Sequence, residues 1–516
     1  MRIQPTPTLY ALLGACVPCA LRDVVPKALV LNSQQVNDGD LFVALRGNRA
    51  NGLDYLHAAA KAGALAALVD ESEKERVKDA PLPIIYVANL AARLSALAGE
   101  FYASPSKRVK VVGITGTNGK STCSLWLAQL LQRVGRQSAV IGTLGYGVPG
   151  QALQSSGMTT PDAIECQRIF AELVDLSVKT VAMEVSSHAI DQHRVAGIDF
   201  DVAVFTNLSR DHLDYHGSME RYAATKMAFI EAENIPFALV NIDDAHGAAV
   251  YHKVMLSSRQ CFSYSLKQQD ADICADNILF HGQGISATIM SIWGRADVNL
   301  PIIGDFNLAN MLAVIASACI QGERFDDVIA AAHTLAPVNG RMQAIDVGDH
   351  ADKHVAIYID YAHTPDALEK ALLTLKLHIK QKLWLVFGCG GDRDTGKRSL
   401  MGEKAARYAD HIVVTSDNPR TEEPQAIIDD ILKGIDKNID TVICLDRKQA
   451  IVYAVNHAGE GDCILIAGKG HEDYQIIGNE RQAFNDAEVA ALALQNLSKN
   501  KASAKHRQAS TGRSLP

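Results

Sequence analysis

No stretch of this 516-residue chain approaches the roughly eighteen apolar residues, free of charge and helix breakers, that a membrane-spanning helix needs. Stable membrane association is therefore not expected. The opening MRIQPTPTLYALLGACVPCALRDV holds an apolar patch broken by prolines. It lacks the basic start and continuous apolar core of a secretory signal, so the expected location is the cytoplasm. Positive charge is not in excess: 50 lysines and arginines against 58 aspartates and glutamates leave a formal net charge of -8. That balance gives no support for a nucleic-acid surface. Ten cysteines are present, but the close pair Cys16 and Cys19 has no second pair or nearby histidine to complete a zinc site. They are expected to be reduced and mostly buried.

What is present is a soluble globular composition, 48% hydrophobic and 21% charged. The length predicts about three domains. Residues 1–105 read as a small α/β block, with DGDLFVALRG, LHAAAKAGALAALVD and PLPIIYVAN as strand, helix and strand. The polar, proline-containing YASPSKR, residues 102–108, reads as a linker. Residues 106–340 alternate short apolar runs with helices, the βαβ pattern of a mostly parallel sheet whose strand ends gather ligands. Within them, residues 253–303 are richer in strand signals. From residue 341 to 499 the alternation resumes as a doubly wound, Rossmann-like α/β block. Residues 500–516 have no apolar periodicity and are expected to be disordered.

The segment VVGITGTNGKS, residues 111–121, runs from an apolar strand into a glycine-rich turn ending in Lys120-Ser121. The generic phosphate-loop pattern wants a glycine where this chain has Ile114, so the match is imperfect. Such a turn exposes backbone N–H groups, and the following helix adds its N-terminal donors, which suits phosphate oxygens. Lys120 can lie along terminal phosphates, and the Ser121 hydroxyl can ligate magnesium. The plainer alternative is a tight turn in which Ser121 caps a helix. Two more strand ends are polar: Glu184 with Ser186, Ser187 and His188, and Asn207 with Arg210, Asp211, His212, Asp214 and His216. A carboxylate and an imidazole from neighbouring strand ends can hold a hard cation beside phosphate. A hydrogen-bonded network at a helix start is the alternative.

GTNGKS, MEVSSH, TNLSRDHLDYHG, GDFNLAN, DYAHTPDAL, GCGGDRDTGKR, TSDNPRTE and GKGHEDYQ occur in this order. Together they resemble the Mur ligase family, over roughly residues 25 to 490. The resemblance accounts for Ile114, because the family uses a Gly-Thr-Asn-Gly-Lys loop, here Gly116, Thr117, Asn118, Gly119 and Lys120. It implies three α/β domains: one for a UDP-sugar, a central ATP-binding one and a C-terminal one for the incoming amino acid. It also implies an ATP-dependent amide ligase in peptidoglycan precursor synthesis. The γ-phosphate passes to a substrate carboxylate, and an amine displaces phosphate from the acyl phosphate.

By the same resemblance, magnesium is held as a pair of ions, one by Ser121 and Glu184 and the other by His212 and a carbamylated Lys226. Lys120, His212 and Lys226 are the implied catalytic group. Taken alone, Lys226 in MERYAATKMAF reads as a solvated or snorkelling side chain. Asn307, Arg341 and Asp360 join residues 116–121 as implied ATP contacts. Ser33, Thr159, Thr160, Ser186, Gln192 and Arg194 are the implied UDP-sugar-peptide contacts. Arg393, Asp417, Asn418, Pro419, Arg420, Gly468 and Glu472 are the implied amino-acid pocket.

In that pocket Arg420 can grip a carboxylate bidentately, while Asp417 or Glu472 takes an ammonium. That pairing matches the distal head of meso-2,6-diaminopimelate, which lysine lacks. The implied partners are thus UDP-N-acetylmuramoyl-L-alanyl-D-glutamate, meso-2,6-diaminopimelate and ATP, with the chain acting as a monomer. A lysine-adding ligase, a folylpolyglutamate-type ligase and a catalytically silent ATP-binding scaffold are the competing readings. Asp417 to Arg420 argue against the first and the long N-terminal block against the second. Intact Lys120, Glu184, His212 and Lys226 argue against the third.

Overall fold

The computed structural model describes residues 6–47, 50–257, 259–281, 284–345 and 355–497. The expected disordered tail, residues 500–516, lies outside them. The chain forms two compact units: Met1–Leu208 with Gly217–Tyr264 and Ala313–Ala331, and Ser209–His216 with Ser265–Leu312 and Ala332–Pro516.

In the first unit, the strands Leu29–Val30, Leu41–Ala44, Ala66–Asp70 and Ile84–Val87 form a parallel sheet in that order. Alternate residues face opposite cores: Leu41 and Val43 pack on one side, Phe42 and Ala44 on the other. A larger sheet runs in the order Gly145–Gly147, Ser138–Gly142, Thr180–Glu184, Lys110–Thr115, Val202–Phe205, Phe237–Asn241, Gln260–Ser265. All its neighbours pair in parallel except the Gly145–Gly147 edge. Its inner strands are nearly continuous apolar runs because both faces are covered. Lys110–Thr115 is central, so the glycine turn leaves the middle of the sheet's carboxyl edge.

The stretch expected to be a linker is packed instead. Pro105 and Ser106 are buried in a 3₁₀ turn, and the Ser106 hydroxyl donates to Asp199 at 3.0 Å. Nearby, Ser95 Oγ donates to the Arg194 carbonyl at 3.1 Å, and Gly197 lies so close to the Ser95–Ala96 backbone that no Cβ would fit. Polarity and proline at 102–108 marked a turn, which tertiary contacts then closed over.

The second unit contains an antiparallel meander of Ile273–His281, Gly284–Ser291 and Gly294–Leu300. Its main sheet runs Gln343–Ala344, Ala356–Asp360, Cys463–Ala467, Leu383–Phe387, His411–Val414, Thr441–Ile443, parallel after the first strand. Leu383, Leu385 and Phe387 pack against the helices Pro365–His378, Gly396–Tyr408 and Pro424–Leu432. Trp384 and Val386 point the other way, toward Arg447–His457. Helices on both faces make this a doubly wound sheet, as the alternation of residues 341–499 predicts. All ten cysteines are free thiols; seven are buried, and Cys16 and Cys19 are exposed.

One ion pair lies wholly inside this unit. Arg447 and Asp486 are both 0% exposed in their side chains, and two guanidinium nitrogens donate to the two carboxylate oxygens at 2.7 Å each. Arg447 also donates to the Ala467 carbonyl at 3.0 Å. Removing one partner leaves an unpaired buried charge, so Asp486→Asn should destabilise the fold by about 3 kcal/mol. Chemical denaturation of the variant beside the wild type measures it; coincident curves would show that water or a neighbour compensates the guanidinium.

Candidate functional site

Gly116 and Gly119 have φ of +148° and +88°. A Cβ at Gly116 would also collide with Thr206 Oγ1, so this position admits glycine on two grounds. Asn207, from the next strand end, latches the turn. Its carbonyl accepts from Thr117 N–H at 2.8 Å and its Oδ1 from Asn118 N–H at 3.0 Å, while its Nδ2 donates to the Asn118 carbonyl at 3.1 Å. The helix Lys120–Arg133 has Gly119 as its N-cap and no side-chain cap bond, so its first amides remain aimed past the turn.

Ser121 does not cap that helix. Its hydroxyl donates to Glu184 Oε2 at 3.0 Å, and both residues are buried. The Thr143 N–H and hydroxyl hold the same carboxylate at 2.8 and 3.1 Å. Glu184 therefore sits at its strand end on three donors, its position set before any cation arrives. Burial, with Glu184 beside it, pushes the Cys123 thiol well up, so this helix residue stays a neutral packing group.

Lys226 is 1% exposed, which rules out the solvated reading. The helix Met219–Glu231 carries it inward, and its Nζ donates to the Gly116 carbonyl at 2.9 Å. Lys120 Nζ donates to the same carbonyl at 2.9 Å and to that of Thr117 at 2.8 Å. Two ammonium groups thus converge on one oxygen.

Thr159, Thr160, Ser186, Gln192 and Arg194 are also brought together. Thr160 Oγ1 donates to the Glu184 carbonyl at 2.8 Å and accepts from Ser186 N–H at 3.0 Å; Thr159 Oγ1 lies 3.0 Å from Thr143 Oγ1. Arg194 donates to Gln192 Oε1 at 2.6 and 3.0 Å and to the Thr160 carbonyl at 2.9 Å. Ser33 is placed elsewhere, half-buried at the start of the otherwise exposed turn Ser33–Gln35 after Leu29–Val30. His212 belongs to the second unit, with φ of +53° and its Nε2 3.5 Å from Asp211 Oδ2. Among the described residues, no three or more of His, Cys, Asp and Glu are grouped to hold a metal.

In the second unit, the Asp360 carboxylate closes the strand Ala356–Asp360 by accepting from Met342 and Ala362 N–H at 2.8 Å each. Burial raises its pKa, against the pull of Arg341 and these bonds. Arg341 stacks over Tyr361, 4.6 Å from the ring centre. Burial and the same guanidinium push His471 down to about 4, so it is neutral at pH 7. Burial and Lys397 also lower His363, which favours its neutral form. Asn307 and Asn310 are buried: Asn307 Nδ2 donates to the Ile303 carbonyl at 2.8 Å, and Asn310 Nδ2 to Asn307 Oδ1 at 3.3 Å.

Asp417, Asn418 and Pro419 are buried at the end of His411–Val414. Arg420 follows at φ +52°, in the left-handed region. Its N–H donates to Ile476 at 3.1 Å, and its Nη1 to Gly391 at 2.7 Å. Gly468, at φ +115°, lies so close to Asp417 Oδ2 that a side chain there would displace the carboxylate. Asn418 Nδ2 donates to Glu472 at 2.8 Å, while Arg393 is exposed on the Asp392 loop. Thus Asp417, Asn418, Gly468 and Glu472 lie together, and Arg420 Nη1 reaches the Asn418 carbonyl at 3.5 Å. Thr143 and Lys469 were not among the expected site residues, although Lys469 lies inside a quoted motif, and Asn207 was singled out only as one of the polar residues at a strand end. Thr143 carries no local signal, since its role depends on a carboxylate 41 residues away.

The glycine turn on a parallel sheet, followed in the chain by a doubly wound sheet with a charged cluster at its strand ends, defines a multidomain α/β protein of the phosphate-loop class. Residues 27–102 match the Mur ligase family catalytic domain, residues 114–318 the Mur ligase middle domain and residues 340–470 the Mur ligase glutamate ligase domain. The chain belongs to the Mur ligase family. It is similar to UDP-N-acetylmuramoyl-L-alanyl-D-glutamate--2,6-diaminopimelate ligases from Coxiella burnetii, 42% identical over 94% of this chain and 99% of that one, and from Chromobacterium violaceum, 44% identical over 91% and 94%. A solved structure of a ligase of the same name superposes with a TM-score of 0.70 at 32% identity, covering 96% of this chain and 99% of that one. No described helix is long and apolar enough to cross a membrane.

Proposed function

We propose that this chain joins meso-2,6-diaminopimelate to UDP-N-acetylmuramoyl-L-alanyl-D-glutamate at the expense of ATP, releasing ADP and phosphate, as a cytoplasmic monomer in peptidoglycan precursor synthesis. The observation that carries the reading is the pocket of Asp417, Asn418, Arg420 and Glu472 in a chain similar over nearly its whole length to ligases of that name. We assign residues 1–105 to the UDP-sugar, 106–340 to ATP and 341–499 to the amino acid.

The glycine turn and Lys120 receive the phosphates, with Asn307, Arg341 and Asp360 assigned to the nucleoside end. Ser33, Thr159, Thr160, Ser186, Gln192 and Arg194 line the path of the UDP-sugar-peptide. The γ-phosphoryl group passes to the substrate carboxylate, and the P–O bond to ADP breaks. The diaminopimelate amine attacks the resulting acyl phosphate; the C–N bond forms, phosphate leaves and the amine gives up a proton. Lys120 neutralises charge during the transfer and holds two anions together.

A buried carboxylate and hydroxyl in contact, Glu184 and Ser121, fit a hard divalent cation. Magnesium there would supply positive charge to the phosphate oxygens, and a carbamylated Lys226 would offer an anion to a second ion. The convergence of Lys120 and Lys226 on the Gly116 carbonyl supports the carbamate. Carbamylation would begin with Lys226 giving up a proton. Its amine nitrogen then bonds the carbon of CO₂, and a second proton leaves.

Phosphate release with UDP-N-acetylmuramoyl-L-alanyl-D-glutamate and a panel of third amino acids tests the reading directly. Diaminopimelate should be the preferred acceptor; preference for lysine would reject it. Arg420→Ala should lower kcat/KM for diaminopimelate by about 30-fold or more, the cost of a charge-assisted pair. It should not create lysine activity, because losing an attractive contact builds no lysine pocket. The KM for ATP should stay close to that of the wild type. Unchanged diaminopimelate efficiency would transfer the role to Arg393.

A further inference from the structure

Lys469 is 0% exposed, yet it carries an ammonium into the amino-acid pocket. Its Nζ donates to Asn418 Oδ1 at 3.0 Å and to Glu472 Oε2 at 3.2 Å, and it lies 3.9 Å from Asp417 Oδ1. The Tyr474 ring centre is 5.5 Å away. Three of the proposed diaminopimelate contacts therefore meet on one side chain that contributes no surface of its own.

The hydrogen bonds define the Asn418 amide completely. Oδ1 accepts from both Lys469 and the Ile476 N–H, at 2.9 Å for the latter, so Nδ2 is left to face Glu472. The charge count is equally specific. Asp417 and Glu472 bring two negative charges, Lys469 brings one positive, and one negative charge remains for the ammonium of an incoming head group. Arg420 takes the carboxylate of the same head. A lysine used for packing alone has no reason to be here, because a methionine fills similar space without desolvating a charge.

We infer that Lys469 is a specificity-determining positioning residue, which orients Asn418 and Glu472 and sets the net charge that selects the zwitterionic end of the amino-acid substrate. The inference rests on the reading that this pocket takes diaminopimelate. Without Lys469, two carboxylates share the pocket uncompensated, and Asn418 loses the bond that orients it.

The test compares Lys469→Met and the double variant Lys469→Met/Glu472→Gln with the wild type, in steady-state kinetics with each substrate varied. Lys469→Met should raise the KM for diaminopimelate by about 30-fold, comparable to loss of a charge-assisted contact, and leave the KM for ATP unchanged. The double variant restores the net charge, so its KM for diaminopimelate should fall back several-fold from that of Lys469→Met, a non-additive result. An unchanged KM for diaminopimelate, equal rises for ATP and diaminopimelate, or a double variant no better than the single one would each overturn the inference. If Lys469→Met shows no cooperative melting, a folded double variant supports the charge balance. Failure of both to fold makes Lys469 purely structural and overturns it. Wild-type enzyme that does not use diaminopimelate would refute the pocket's reading instead, which separates the two failures.

Discussion

Lys120→Ala should reduce ATP-dependent product formation by on the order of 10⁴-fold, about 5.5 kcal/mol of transition-state stabilisation, while the fold stays intact. Lys120 begins the helix Lys120–Arg133, and its ammonium lies over the turn, bonded to the Gly116 and Thr117 carbonyls. Both bonds are to backbone oxygens of the turn that the lysine itself crosses. The turn has other anchors in Asn207 and Thr206, so alanine leaves its path in place. What disappears is the mobile positive charge that can swing from those carbonyls to a phosphate. The loss should therefore fall on kcat/KM, with melting temperature and far-ultraviolet circular dichroism near those of the wild type. A folded variant with near-wild-type turnover would remove Lys120 from phosphoryl transfer.

Lys226→Ala should lower turnover by about 10³-fold, roughly 4 kcal/mol, through loss of the anion that the carbamate supplies. The side chain is buried, so the variant also creates a small cavity beside Tyr222, which is itself 1% exposed. Cavity and charge can be told apart by chemical rescue. Acetate or formate fits the vacated space as a replacement carboxylate and should restore part of the activity; an uncharged amide of similar size should not. The unmodified enzyme offers the complementary measurement, with ¹³C-bicarbonate labelling expected to give a carbamate resonance. Fully active enzyme with unmodified Lys226 under bicarbonate would exclude the carbamate. Equal rescue by the amide would assign the loss to packing.

How much of this was legible before folding depends on the distance over which each signal acts. Strand-to-turn-to-helix punctuation is local. Val111–Ile114, the Gly116 and Gly119 turn and the helix start were readable as such because apolar runs and positive-φ glycines are properties of a few consecutive residues. The same holds for the alternation that predicted a doubly wound sheet after residue 341. The 102–108 segment was misleading for the complementary reason: its polarity is local, but Ser106 is buried by Asp199, 93 residues away.

Side-chain roles divided along the same line. Sequence by itself determined the α/β class, the phosphate-type turn and, through ordered motifs, membership of a family with a defined set of site residues. Residue pattern alone could not decide between Glu184 and its own helix as the partner of Ser121, which only the family resemblance paired with Glu184, nor show that Lys226 is buried against Gly116. Nor could it give Thr143 or Lys469 a task, since the partners of Thr143 and the Asn418 bound by Lys469 are distant in the chain. Those outcomes were decided by the tertiary structure, which brings separate strand ends to one edge of a sheet. There burial removes water as a competitor, and each polar group must bond whichever partner the fold has placed within reach.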